Sequence, residues 1–143
     1  MALPAGAVYG HVVTSMDAVV NAILKGGAPL FAGGWEGRTG LSELPPQPDP
    51  AKPGMADWTA WSWAVSVDLP KLQKYSRAVQ AAIDAYLATL SDDDLNRAID
   101  MSWIGIGWVT VGFMLNNAVL GHAFSHGGEI SCLKGMRGKK GLL

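Results

Sequence analysis

The sequence predicts an all-α fold, a small helical bundle, and three observations carry that prediction. Apolar residues recur at steps of three and four over three separate stretches, beginning near Val8, Leu72 and Val111, which is the period of a helix that buries one face. Helix-ending signals, glycine, proline and capping side chains, separate these stretches. The only three histidines, His11, His122 and His126, fall on or beside the apolar faces of the first and last stretches. At 143 residues and 49% hydrophobic content, the chain is expected to form one domain over residues 1–143.

The first stretch places Val8, Val12, Met16, Val19 and Ile23 on one stripe, and Lys25-Gly26-Gly27 closes it with a base in the last turn and glycine at the stop. Residues 26–57 then hold seven of the eighteen glycines and six of the eight prolines, too many for a helix or a central strand. A connection of that length is either disordered or a functional cover, here one that would lay Phe31, Trp35 and Leu41 against the body. Trp58, Trp61 and Trp63 follow, spaced for a helical turn, and read first as packing residues and second as a ligand-stacking surface.

Asp68-Leu69-Pro70 reads as a helix start, with the carboxylate capping free amides and proline placed where its missing N–H costs nothing. The helix that follows carries Leu72, Tyr75, Val79, Ile83, Tyr86 and Leu90 on one face, opposite Lys74, Arg77 and Asp84. Ser91 and the acidic run Asp92-Asp93-Asp94 read as the cap and first turn of a short helix, favourable against its dipole, and not as a metal cluster. Trp103-Ile104-Gly105-Ile106-Gly107-Trp108 suits a turn or a short extended piece and lacks the strand-turn-helix context of a dinucleotide loop. From about Thr110 a long helix is expected through Val111, Leu115, Val119, His122, His126, Ile130 and Leu133, with Asn116 and Asn117 bonding between helices and Cys132 packing.

Charge excludes some partners. A net charge of −1 leaves no basic excess to neutralise a phosphate backbone, so nucleic acid is not an expected partner. The single cysteine, Cys132, cannot form an internal disulfide and fits a reducing cytoplasm. The run 101–128 is uncharged and long enough to span a bilayer, but two asparagines, two histidines and six glycines argue against a membrane span.

His122 and His126 stand four residues apart, so both imidazoles lie on one helical face and can meet one ion. Taken alone, the pair reads equally as two metal ligands or as two satisfied core histidines. His11 tilts the balance, because packing two amphipathic helices would bring it toward the pair. Three neutral nitrogens leave a divalent ion an open position, the arrangement of a catalytic centre and not of a closed structural one. Glu129, three residues after His126, and Asp17, six after His11, are candidate catalytic residues that could orient an imidazole or accept a proton.

These segments resemble the DinB-like (DinB/YfiT) superfamily. The match is most specific at Asn116-Asn117 leading to Gly121-His122-Ala123-Phe124-Ser125-His126-Gly127-Gly128-Glu129-Ile130, with the glycines Gly135, Gly138 and Gly141 punctuating the end. Tyr9-Gly10-His11-Val12, with Asp17 to Leu24 after it, is similar to the segment that supplies the family's first histidine, and Leu90-Ser91 to Leu95 resembles the connection before its last helix. The resemblance implies an up-down-down-up four-helix bundle and a divalent metal ion, nickel, zinc, iron or manganese, on His11, His122 and His126. It further implies a homodimer and, for characterised relatives, S-transferase or isomerase chemistry with a low-molecular-weight thiol cosubstrate and a small-molecule substrate. A metal-dependent hydrolase and a non-catalytic metal-binding module are the alternatives. The family carries a helix ahead of the first histidine segment, and ten residues precede His11 here, so the bundle is expected to be short of that helix at its N-terminus.

Overall fold

A computed structural model describes residues 4–46 and 56–141. Pro48, Pro50 and Pro53 of the expected loop lie outside the described residues. Three long helices form the body. α1 (Ala5–Leu24) lies between α3 (Leu69–Leu87) and α5 (residues 111–135) and packs on both. The shorter elements are α2 (Thr59–Ala64), α4 (Asp92–Leu95) and an antiparallel ribbon of β1 (Ala98–Asp100) and β2 (Trp108–Thr110), in which Ile99 faces Val109. The fold is therefore mainly helical, as the periodicity predicts, with a small ribbon that it does not. Gly105 and Gly107 take positive φ, 84° and 79°, which lets the chain reverse between the two strands.

α1 and α5 both change helix type along their length. In α1 the α-helical part Ala5–Asp17 passes into a π-helical segment, Ala18–Leu24, where Lys25 N–H donates to Val20 carbonyl five residues back. The wider turn rotates the stripe, so Val20 and Leu24 enter the core while Val19 and Ile23 only border it. In α5, Thr110 caps the start by accepting from Phe113 N–H at 3.1 Å, and a second π segment, Leu115–Gly121, runs to the residue before His122. α5 buries Val111, Met114 and Val119, the last two five residues apart. Asn116 and Asn117, expected between helices, are exposed, and Asn117 bonds back to Phe113 carbonyl; the π turn has carried them to the outer face. Cys132 is likewise exposed instead of packed.

α3 forms as its sequence predicts. Asp68 accepts from Lys71 N–H, Pro70 sits in the first turn, and Leu72, Tyr75, Val79 and Ile83 are buried. Ser91 and Asp94 make a reciprocal capping box on α4, so the acidic run is a helix start. α1 is long and apolar enough to cross a membrane, as a core helix can also be, and half of its most apolar window is buried inside the fold.

The loop after α1 is seated by one carboxylate. Asp17 is fully buried; Oδ1 accepts from Leu30 N–H and from the Asn21 amide, each at 2.8 Å, and Oδ2 accepts from Phe31 N–H at 3.1 Å and from the Tyr75 hydroxyl at 2.5 Å. Burial and that carboxylate hold the Tyr75 hydroxyl far above its ordinary pKa, so it stays a donor. Phe31 is thereby buried, and the Trp35 ring lies 5.7 Å from that of Tyr75. Farther along, Leu41 pairs with Val67 in a single antiparallel bridge, and Gly40 turns the chain at φ +85°. A Cβ on Gly40 would stand 2.6 Å from Asp68 carbonyl oxygen, so Gly40→Ala is expected to cost at least about 2 kcal/mol, read as a lowered midpoint in urea.

Candidate metal centre

His11 stands on the α-helical half of α1, and His122 and His126 begin the α-helical end of α5 immediately after its π segment. The packing of α1 on α5 brings all three together. Ring centroids are 4.6 Å apart for His122 and His126, 5.0 Å for His11 and His122, and 5.3 Å for His11 and His126, each pair near perpendicular. One nitrogen from each lies within 4.8 Å of the others. Among the described residues these three are the one group of histidine, cysteine and carboxylate side chains placed to share an ion.

The donor set fits a divalent metal. His11 Nε2 and His122 Nε2 are 3.2 Å apart, and two nitrogens on one tetrahedral ion at Zn–N distances of ~2.0–2.1 Å would stand ~3.3 Å apart. All three nitrogens lie within 4.8 Å of one another, so closing on an ion takes at most a small shift of a ring. Without an ion the close Nε2 pair can share only one proton; His122 Nδ1, on the other side of its ring, is buried with no partner among the described residues. Burial, with the charges of His122 and His126 beside it, pushes His11 down to about 4, and burial and then His126 lower His122 as well. Neutral imidazoles with free lone pairs are what a metal requires.

Glu129 is one turn along α5, and its Oε2 meets His126 Nδ1 at 2.8 Å. A carboxylate there fixes the His126 ring and tautomer, leaving Nε2 toward the other two imidazoles. Glu129 thus stands beside the three histidines, in contact with His126. Asp17 does not: its two oxygens serve four donors in the core, and no hydrogen bond joins it to any histidine. Its offset of six residues from His11 turns it to another side of α1, toward α3 and the loop.

Spacing alone did not single out Trp58. Its indole stacks on His11 with centroids 4.1 Å apart and planes 2° from parallel, and it meets the His126 ring edge-on at 5.8 Å. Trp61 is buried, donating from Nε1 to Glu43 carbonyl at 3.1 Å, and Trp63 is exposed. The three tryptophans therefore have three different settings, which their shared spacing cannot distinguish.

No curated protein and no solved structure matches the chain. The family model of the DinB superfamily matches residues 4–130, a span that includes His11, His122, His126 and Glu129. Three histidines on two packed helices, in a chain matched over nearly its whole length, make this protein a member of the DinB superfamily.

Proposed function

We propose that this chain is a metal-dependent enzyme of the thiol S-transferase type, with a divalent ion, nickel, zinc, iron or manganese, held by His11, His122 and His126. The observation that carries the reading is the convergence of three imidazoles with no fourth ligand among the described residues, which leaves a coordination position for an exchangeable partner. Such an ion would lower the pKa of a coordinated thiol and make it a nucleophile toward an electrophilic small molecule.

The chain's own residues favour a thiol over water. Hydrolysis at neutral pH commonly draws on a carboxylate base, but Glu129 is engaged with His126 and Asp17 is enclosed in the core. Thiol transfer needs no such base once the thiol is deprotonated. His11, His122 and His126 supply lone pairs, Glu129 holds the Nδ1 proton of His126, and Trp58 walls one side.

The test is to strip the protein with a chelator, reload it separately with each of the four ions, and assay a panel of low-molecular-weight thiols against electrophiles. Turnover above that of the free ion, lost on chelation, is the expected result; bound metal without turnover would overturn the enzymatic reading in favour of a metal-binding module. Glu129→Gln is expected to weaken metal binding roughly 10- to 100-fold by loosening His126, measured by competition with a chromogenic chelator.

A cytoplasmic homodimer completes the proposal. Met16, Ile83, Leu87, Leu115, Val119 and Leu120 line an apolar groove where α3 and α5 flank α1, and Leu120 and Phe124 are 55% and 78% exposed on the outside of α5. Apolar surface of this kind supports association of two chains. Light scattering is expected to return twice the chain mass of 15.1 kDa, and a monomer at micromolar concentration would remove this part.

A further inference from the structure

We propose that Trp58 is a positioning residue for the metal centre: its indole face holds the His11 imidazole in place and favours that ring when it carries a metal. The inference rests on the three-histidine reading above and adds a residue to it. His126 has a carboxylate to orient it. Among the described residues His11 has no such partner, since its one side-chain hydrogen bond is to His122, itself a ligand. What fixes the His11 ring instead is a face-to-face stack on Trp58 at 4.1 Å and 2°.

Trp58 is itself held. It stands at the N-cap of α2, next to Asp57, which accepts from Thr59 N–H at 2.8 Å, and its ring lies 6.2 Å from that of buried Trp61. The chain thus enters α2 with the indole laid against the metal site and not on a free end.

The stack does more than hold position. An imidazole that gives its Nε2 lone pair to a divalent ion becomes electron-poor, and the negative face of an indole is the best aromatic partner for such a ring. The stack therefore strengthens on loading, and the difference appears as metal affinity. On the usual scale of cation–π interactions the gain is roughly three- to thirtyfold in the dissociation constant.

The experiment is calorimetric titration of the metal-stripped full-length protein with Ni²⁺ alone, with tryptophan fluorescence recorded alongside, for wild type, Trp58→Leu, Trp58→Phe and Trp63→Phe. Trp58→Leu is expected to bind three- to thirtyfold more weakly, Trp58→Phe to recover most of that loss, and Trp63→Phe to match wild type. Ni²⁺, an open-shell ion, should quench wild type and Trp63→Phe alike and quench Trp58→Phe less. Trp58→Leu with a dissociation constant within twofold of wild type and an unchanged circular dichroism spectrum would overturn the role assigned to Trp58. If Trp58→Leu does not fold, equal quenching of Trp58→Phe and Trp63→Phe overturns it, and unequal quenching upholds it. Wild type that fails to bind Ni²⁺ or any of the other ions would instead bring down the three-histidine reading and this inference with it.

Discussion

His122→Ala and His126→Ala are each expected to yield a folded protein that no longer carries a divalent ion through purification. The loss exceeds that of an orienting partner, which itself costs about 10- to 100-fold, so affinity should fall by more than roughly a hundredfold. Two ligands from two helices leave an ion held mainly by water, and a buffer exchange removes it. The fold should survive because both imidazoles are only half-buried and neither belongs to the hydrophobic core. Removing His122 also deletes a buried nitrogen that has no partner among the described residues. Elemental analysis per chain, with thermal melting as the control for folding, reads the result. Unchanged metal content in both variants would sink the site.

Asp17→Asn is expected to have the largest effect on stability of any single polar substitution in the core. An amide has one acceptor oxygen where the carboxylate has two, and its NH₂ would face the two donors that one of those oxygens serves, either Leu30 N–H with the Asn21 amide or Phe31 N–H with the Tyr75 hydroxyl. Leaving such groups unpaired in a buried setting costs about 3–5 kcal/mol, or a melting temperature lower by about 10–15 °C for a domain of this size. The same substitution separates the two roles open to Asp17. If it seats the loop, Asp17→Asn melts early yet binds metal with the wild-type stoichiometry at low temperature. A variant with unchanged melting and abolished turnover would restore Asp17 as a catalytic base.

The aromatic and acidic residues around the centre show why part of the site was legible and part was not. The four-residue spacing of His122 and His126 is a local property, because any helix places such side chains on one face. The Glu129 contact is also local, one turn from His126. Trp58 on His11 joins positions 47 apart, and no periodicity encodes which of three neighbouring tryptophans will stack on that ring. Asp17 misled for the opposite reason: its nearness to His11 in sequence says nothing about which side of α1 it faces once α3 and the loop have packed on that helix.

Sequence alone determined the helical class, the α3 stripe from Leu72 to Ile83, the caps at Asp68 and Ser91 and the three histidines, all set by hydrogen bonding and side-chain period within one or two turns. Tertiary structure decided the rest. The π segment at Ala18–Leu24 carries Val20 and Leu24 into the core in place of Val19 and Ile23, and that at Leu115–Gly121 leaves Leu115 at the border of the core while Val119 keeps its expected place inside it. A π turn wins only when packing against other helices compensates its weaker local geometry, and a single helix read by itself carries no record of that compensation. The three-histidine cluster has the same origin: His11 lies 111 residues from His122, and only the packing of α1 on α5 brings their nitrogens to 3.2 Å.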